Sequence, residues 1–160
     1  MIRSNILSLT LLVMSVFPAT QAAAQTKAAV VIGNANYEGA PLDNPHNDAG
    51  LLAATLTELG FDVTLYYDVT TEQVPLLKEK IVATLAEADI GILYYAGHGL
   101  QYKDENLLLP VDTDLTSAVG ISDAGITLSD MLSSVTINEN GVKIVILDAC
   151  RNPLVPDGSP

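Results

Sequence analysis

Ile90-Gly91-Ile92-Leu93-Tyr94-Tyr95-Ala96-Gly97-His98-Gly99 and Val142-Lys143-Ile144-Val145-Ile146-Leu147-Asp148-Ala149-Cys150-Arg151 decide the fold. Each opens with a short, nearly unbroken apolar run that shows no helical spacing. Such runs are expected of central strands in a parallel sheet, which are covered on both faces. Each run also leads into chemistry. His98, between two glycines, follows the first, and Cys150, the single cysteine of the chain, follows the second. The carboxyl ends of parallel strands form the functional edge of an open α/β sheet. His98 and Cys150 can therefore meet in space although they are far apart in sequence. A thiol beside an imidazole is the minimum equipment for a cysteine nucleophile with a general base.

Working outward, Lys27 to Ile32 reads as a first buried strand closed by Gly33, and residues 34–44 as a polar loop. Pro45 opens a helix, where its missing N–H costs nothing. Leu51, Leu52, Leu56 and Leu59 recur along it at helical spacing before Gly60 stops it. Phe61 to Tyr67 alternates as a second strand. Thr70 and Gln73 form a capping box for a helix to about Glu87, with Pro75 in its first turns. Asp89 to Ala96 is the third strand. Gln101 to Pro110 is a hairpin turning at residues 103–106. Thr127 caps a short helix through Val135, residues 138–141 turn, and Val142 to Leu147 is the fourth strand. This order predicts an α/β fold, a doubly wound and mostly parallel sheet with helices on both faces. Right-handed crossovers give the strand order 2-1-3-4.

With 160 residues, one domain is expected. A hydrophobic content of 49% against 16% charged residues supplies a core and argues against disorder. The net charge of −12 comes without any Lys/Arg cluster, so nucleic acid has no electrostatic footprint to bind. Residues 1–24 read as a signal peptide. Arg3 precedes an apolar stretch from Ile6 to Val16, and Ala22-Ala23-Ala24 is a small-residue cleavage site. The stretch is short for a membrane span. The expectation is an exported protein, periplasmic or secreted, with no membrane contact after signal removal; a buried N-terminal helix is the alternative. Cys150 has no second cysteine to bridge within the chain. No zinc pattern or phosphate loop is present, and Gly33-Asn34-Ala35 lacks the further glycines of a dinucleotide site.

Taken together, the segments Val30-Val31-Ile32-Gly33-Asn34, Leu42-Asp43-Asn44-Pro45-His46-Asn47-Asp48-Ala49, Leu59-Gly60-Phe61-Asp62-Val63, Tyr94-Tyr95-Ala96-Gly97-His98-Gly99 and Asp148-Ala149-Cys150-Arg151 resemble the caspase-like cysteine peptidases of family C14. The likeness is to their large-subunit (p20-like) region, and in particular to the bacterial metacaspase-type branch. Caspases proper carry Gln-Ala-Cys-[Arg/Gln/Gly]-Gly, with the histidine about 50 residues upstream. The chain agrees at Ala149, Cys150 and Arg151 and departs at Asp148 and Asn152. Asp two residues before the cysteine is common in the metacaspase-type branch. The resemblance covers residues 27–153, leaving 154–160 as a tail. Relatives with this fold continue through two further strands, and the short reach beyond Cys150 is the largest departure from their pattern.

The resemblance implies a cysteine-type endopeptidase, a hydrolase, with Cys150 as nucleophile and His98 as base. The backbone N–H groups of Gly99 and Cys150 would form the oxyanion hole. Asp48 and Asp148 would line the S1 pocket and select peptide or protein substrates with Arg or Lys at P1. The bland readings stay beside these roles. Cys150 can be an inert buried thiol, Asp48 can acidify the first turn of its helix, and Asp148 can be a structural carboxylate. Ala96 and Pro45 stand where relatives often have small polar or thiol residues, and His46 reads as a solvated helix-start residue. No cofactor is required. Calcium is the open case, through Asp112, Asp114, Asp123 and Asp130, whose spacing fits no calcium-loop motif. Two other readings compete. One is a non-catalytic caspase-like module that self-associates or takes a complementing C-terminal segment; the other is a generic flavodoxin-like ligand-binding domain.

Overall fold

A computed structural model describes residues 24–102, 105–135 and 141–150. In chain order the elements are β1 (Lys27–Gly33), α1 (Pro45–Glu58), β2 (Asp62–Tyr67), a 3-10 turn (Thr71–Gln73) leading into α2 (Val74–Leu85), β3 (Ile90–Tyr102), β4 (Glu105–Leu108), α3 (Ala118–Ala124), β5 (Ile126–Thr127), α4 (Leu128–Val135) and β6 (Val142–Cys150). Strands β2, β1, β3 and β6 lie side by side and parallel, in the expected order 2-1-3-4. Beyond this parallel part, β3 continues into an antiparallel hairpin with β4, which pairs in turn with β5. Residues 1–23 of the expected signal peptide, the turns at Lys103-Asp104 and 138–140, and the tail after Cys150 lie outside the described residues. No helix among the described residues is long and apolar enough to cross a membrane.

The strands alternate as period-2 geometry requires. On one face Val30, Ile32, Leu93 and Tyr95 pack against Leu77, Ile81 and Leu85 of α2 and Met131 and Val135 of α4. On the other, Ala29, Val31, Ile92, Tyr94 and Ala96 meet Ala49, Ala53 and Leu56 of α1. Fully burying a side chain such as Ile81 or Leu85 contributes roughly 2 kcal/mol. The leucine spacing in α1 misleads in part, because Leu51 and Leu59 are 71% and 59% exposed. The helix presents its alanines to the sheet instead and so lies close to it. A Cβ on Gly33 would sit 2.6 Å from the Pro45 carbonyl oxygen and 2.8 Å from the Ala49 Cβ.

Two further differences from the sequence reading concern the site. β3 does not end at Ala96 but runs on to Tyr102, so Gly97-His98-Gly99 is strand rather than loop. β6 likewise extends through Cys150. Helix α3 and strand β5 carry little periodic signal. The Ser117 side chain caps α3 by accepting from the Gly120 N–H, and the Asp130 N–H donates to Thr127 at the start of α4, as expected.

Asp68 pins the loop after β1. Its φ of +51° costs about 1 kcal/mol for a residue with a Cβ. Its carboxylate accepts from the backbone N–H groups of Ala35 and Asn36 at 2.9 and 3.0 Å and from the Asn36 side chain at 2.6 Å. The His46 imidazole lies 2.9 Å away and also tilts against Tyr67, so His46 is tied in rather than simply solvated. Partial burial would raise the Asp68 pKa, but these hydrogen bonds outweigh it and hold the carboxyl below its ordinary value. A group with a depressed folded pKa contributes stability that is present above its unfolded value, about 3.9. That stability is lost as pH falls through the folded pKa. The difference in unfolding midpoint between the wild type and Asp68→Asn is therefore expected to shrink below about pH 4. A difference that stayed constant down to about pH 2 would remove the carboxylate's charge as the clamp.

Candidate active site

Strand β1 stops at Gly33, which pairs with Ala96, whereas β6 continues two positions further, so that Cys150 pairs with His98. Adjacent strands are spaced about 4.8 Å apart. The register thus sets the backbones of the single cysteine and of His98 side by side at the carboxyl end of the sheet. By alternation His98 belongs to the α1 face, with Tyr94 and Ala96.

The loop after β1 folds over this end and holds the imidazole. His98 Nε2 lies 2.7 Å from the Ala40 carbonyl oxygen. A carbonyl can only accept, so Nε2 carries the proton and Nδ1 of the neutral ring keeps the lone pair that a base needs. The Tyr37 ring tilts against the imidazole with centroids 4.4 Å apart, and its hydroxyl accepts from the His98 N–H at 3.0 Å. Burial pushes the phenols of Tyr37 and Tyr95 up, so both stay protonated. Gly97 makes this packing possible, since a Cβ there would lie 2.6 and 2.8 Å from the two tyrosine hydroxyls.

Beside the pair, a cavity of about 350 Å³ opens between α1, β3 and β6, lined among others by Pro45, Asp48, Ala96, Gly97 and Asp148. The two aspartates expected in a specificity pocket thus share one cavity, although they come from a helix and a strand far apart in sequence. Tyr94 reports the field they create. Burial raises its phenol pKa first, and the negative charges of Asp148 and Asp48 raise it further, with Asp148 also in hydrogen-bond contact. Asp43 lines the same cavity and went unread; it stands in a polar loop, where an acid is unremarkable. Tyr37 and Ala40 were missed for a similar reason, because only folding carries that loop over His98. Gly99 is buried, pairs with Leu108 and lines a separate apolar cavity of about 90 Å³ with Leu100, Leu147 and Ala149. The acids weighed for calcium do not converge. Asp112 accepts from Thr71, Asp114 from Thr116, and Asp130 from Lys78. Among the described residues no group of three or more His, Cys, Asp or Glu side chains could hold a metal ion.

Residues 26–159 match the caspase domain profile of peptidase family C14. The chain belongs to the caspase domain family. This caspase domain is 30% identical over 132 residues to human mucosa-associated lymphoid tissue lymphoma translocation protein 1, and equally to its mouse homolog. Those alignments cover 82% of this chain and 16% of either relative, so the chain spans about a sixth of their length. The crystal structure of protein GSU0716 from Geobacter sulfurreducens superposes with a TM-score of 0.60 at 22% identity, over 78% of this chain and 50% of that one. That likeness supports the fold. Members of the caspase domain family are cysteine peptidases, and this chain sets His98 beside Cys150 at the carboxyl end of its sheet.

Proposed function

We propose that this chain provides the catalytic region of an exported cysteine endopeptidase of metacaspase type, cleaving proteins after Arg or Lys. The observation that carries the reading is the pairing of His98 with Cys150 next to a cavity shared by Asp48 and Asp148. His98 Nδ1 takes the thiol proton, and the thiolate attacks the scissile carbonyl. The N–H groups of Gly99 and Cys150 receive the oxygen as it gains charge. The C–N bond breaks as His98 returns its proton to the leaving amine. Water, deprotonated by the same imidazole, then hydrolyses the thioester and restores the thiol. Asp48 and Asp148 offer two carboxylates to one guanidinium or ammonium at P1. Export rests on the signal-like residues 1–24. The test is hydrolysis of an Arg-containing peptide amide by the protein supplied with a complementing C-terminal segment, with activity lost in step with alkylation of Cys150. Full activity after complete alkylation would exclude the thiol mechanism.

A specific observation favours the second reading, that of an assembling module. Among the described residues β6 pairs only with β3, leaving its other side open. Four of its apolar side chains are uncovered as well, those of Val142, Ile144, Ile146 and Leu147, while Val145 and Ala149 pack against the core. An open apolar edge pairs readily with another strand. Residues 25–160 expressed alone are accordingly expected to self-associate or to need a complementing C-terminal segment, and to turn over peptide weakly. Light-scattering mass and peptide turnover check this together. A stable, fully active monomer would show that the uncovered edge has no functional consequence.

A further inference from the structure

β1 stops opposite Ala96 and β4 pairs with β3 only from Gly99 on, so His98 falls between the two strands, and two tyrosines and Leu109 take over there. The Leu109 N–H donates to the His98 carbonyl oxygen at 3.0 Å and to the Tyr95 hydroxyl at 3.1 Å. The Tyr95 hydroxyl lies 2.8 Å from the His98 carbonyl oxygen. The Tyr37 hydroxyl accepts from the His98 N–H and donates to the Leu109 carbonyl oxygen at 2.9 Å. The same carbonyl receives the Asn34 side chain at 3.1 Å, whose oxygen accepts from the Val69 N–H. Both polar backbone groups of His98 are therefore satisfied by this buried cluster, and the Tyr37 ring also lies against the imidazole. Tyr37 is 3% exposed and belongs to the loop whose Ala40 carbonyl holds Nε2.

We propose that Tyr37 is a positioning residue for His98: its hydroxyl stands in for the strand that β1 no longer supplies, and its ring fixes the plane of the imidazole so that Nε2 points at Ala40 and Nδ1 is left as the base. The consequence for catalysis rests on the peptidase reading above; the consequence for the imidazole does not. A merely structural tyrosine would hold the loop without setting the histidine's tautomer.

The test uses the full chain. In the wild type, ¹⁵N spectra should show His98 as the Nε2–H tautomer, with a His98 amide slow to exchange. Tyr37→Phe keeps the ring and its packing but removes the hydroxyl. It should speed exchange of the His98 amide by about tenfold, the effect of losing one hydrogen bond. Tyr37→Leu should in addition mix the two imidazole tautomers. In an active form of the protein, Tyr37→Phe should lower kcat by about tenfold with KM little changed. Should the protein prove not to be a peptidase, the tautomer and the exchange rate still decide the matter. A wild-type His98 amide that exchanges freely would overturn the proposal without any variant. So would a folded Tyr37→Leu protein with the same tautomer, or a Tyr37→Phe protein altered in KM alone.

Discussion

Replacing Cys150 by Ala will lower turnover of an Arg-containing peptide by about 10⁴-fold or more, and His98→Ala will cost nearly as much. A factor of 10⁴ corresponds to about 5.5 kcal/mol of barrier, more than loss of an ordinary buried contact explains. The expectation follows from the register, which pairs these two positions on neighbouring strands. Because thiol and imidazole act in one proton transfer, the double variant should be scarcely worse than either single one. Measuring kcat for both singles and the double checks this. Strictly multiplicative losses would mean that the two residues work independently, and full activity in Cys150→Ala would mean that the nucleophile lies elsewhere.

The second large effect concerns charge at P1. Asp48, Asp148 and Asp43 line one cavity, so an acidic P1 side chain would enter a site already carrying negative charge. Arg or Lys should be preferred over Asp by about 10³ in kcat/KM, the sum of attraction to one and repulsion of the other. Asp48 and Asp148 are both exposed, so a single carboxylate interaction is worth about 1 kcal/mol until substrate displaces water. Asp148→Asn should thus weaken basic substrates about tenfold, and the preference should fall as salt rises. A library of P1-varied peptides assayed at two ionic strengths reads all of this. A preference for Asp at P1 would sink the metacaspase-type specificity while leaving the family and fold in place.

The parallel core was legible because β1 and β3 are apolar on both faces; the same reading failed for β6, whose run looks central although Val142, Ile144, Ile146 and Leu147 are exposed. The run from Ile90 to Ala96 has no charged residue and no polar alternation, and order 2-1-3-4 is one of those that right-handed crossovers allow. The helix at Pro45 was legible from its proline and Gly60, but not the face it buries. Alanines carry too little hydrophobic weight to outvote Leu51 and Leu59, although their small size is what lets α1 approach β1. The ends of β3 and β6 were misread for one reason: glycine and a polar residue close an apolar run in sequence, whereas in the sheet hydrogen bonding to a neighbour carries the strand onward. His98, Cys150, Asp48 and Asp148 were picked out as candidates by motif likeness. Tyr37, Ala40 and Asp43 did not, since their part depends on where an irregular loop lands, and no local spacing encodes that.

The two strands that carry the paired residues are unequal. β3 is bordered on both sides, with helices on both faces, and its residues from Gly91 to Gly97 are buried. Among the described residues β6 is bordered on one side and solvated over much of its length. Local opening takes least free energy where backbone hydrogen bonds face water and few apolar contacts must be broken. Among the described residues, the proposed base is thus anchored in the better-protected of the two strands and the proposed nucleophile in the less protected one. Whatever comes to lie along β6 would raise the fraction of time that the pair is intact without touching either residue, so the free energy of one edge, rather than of the whole fold, sets how much of the protein is competent at any moment.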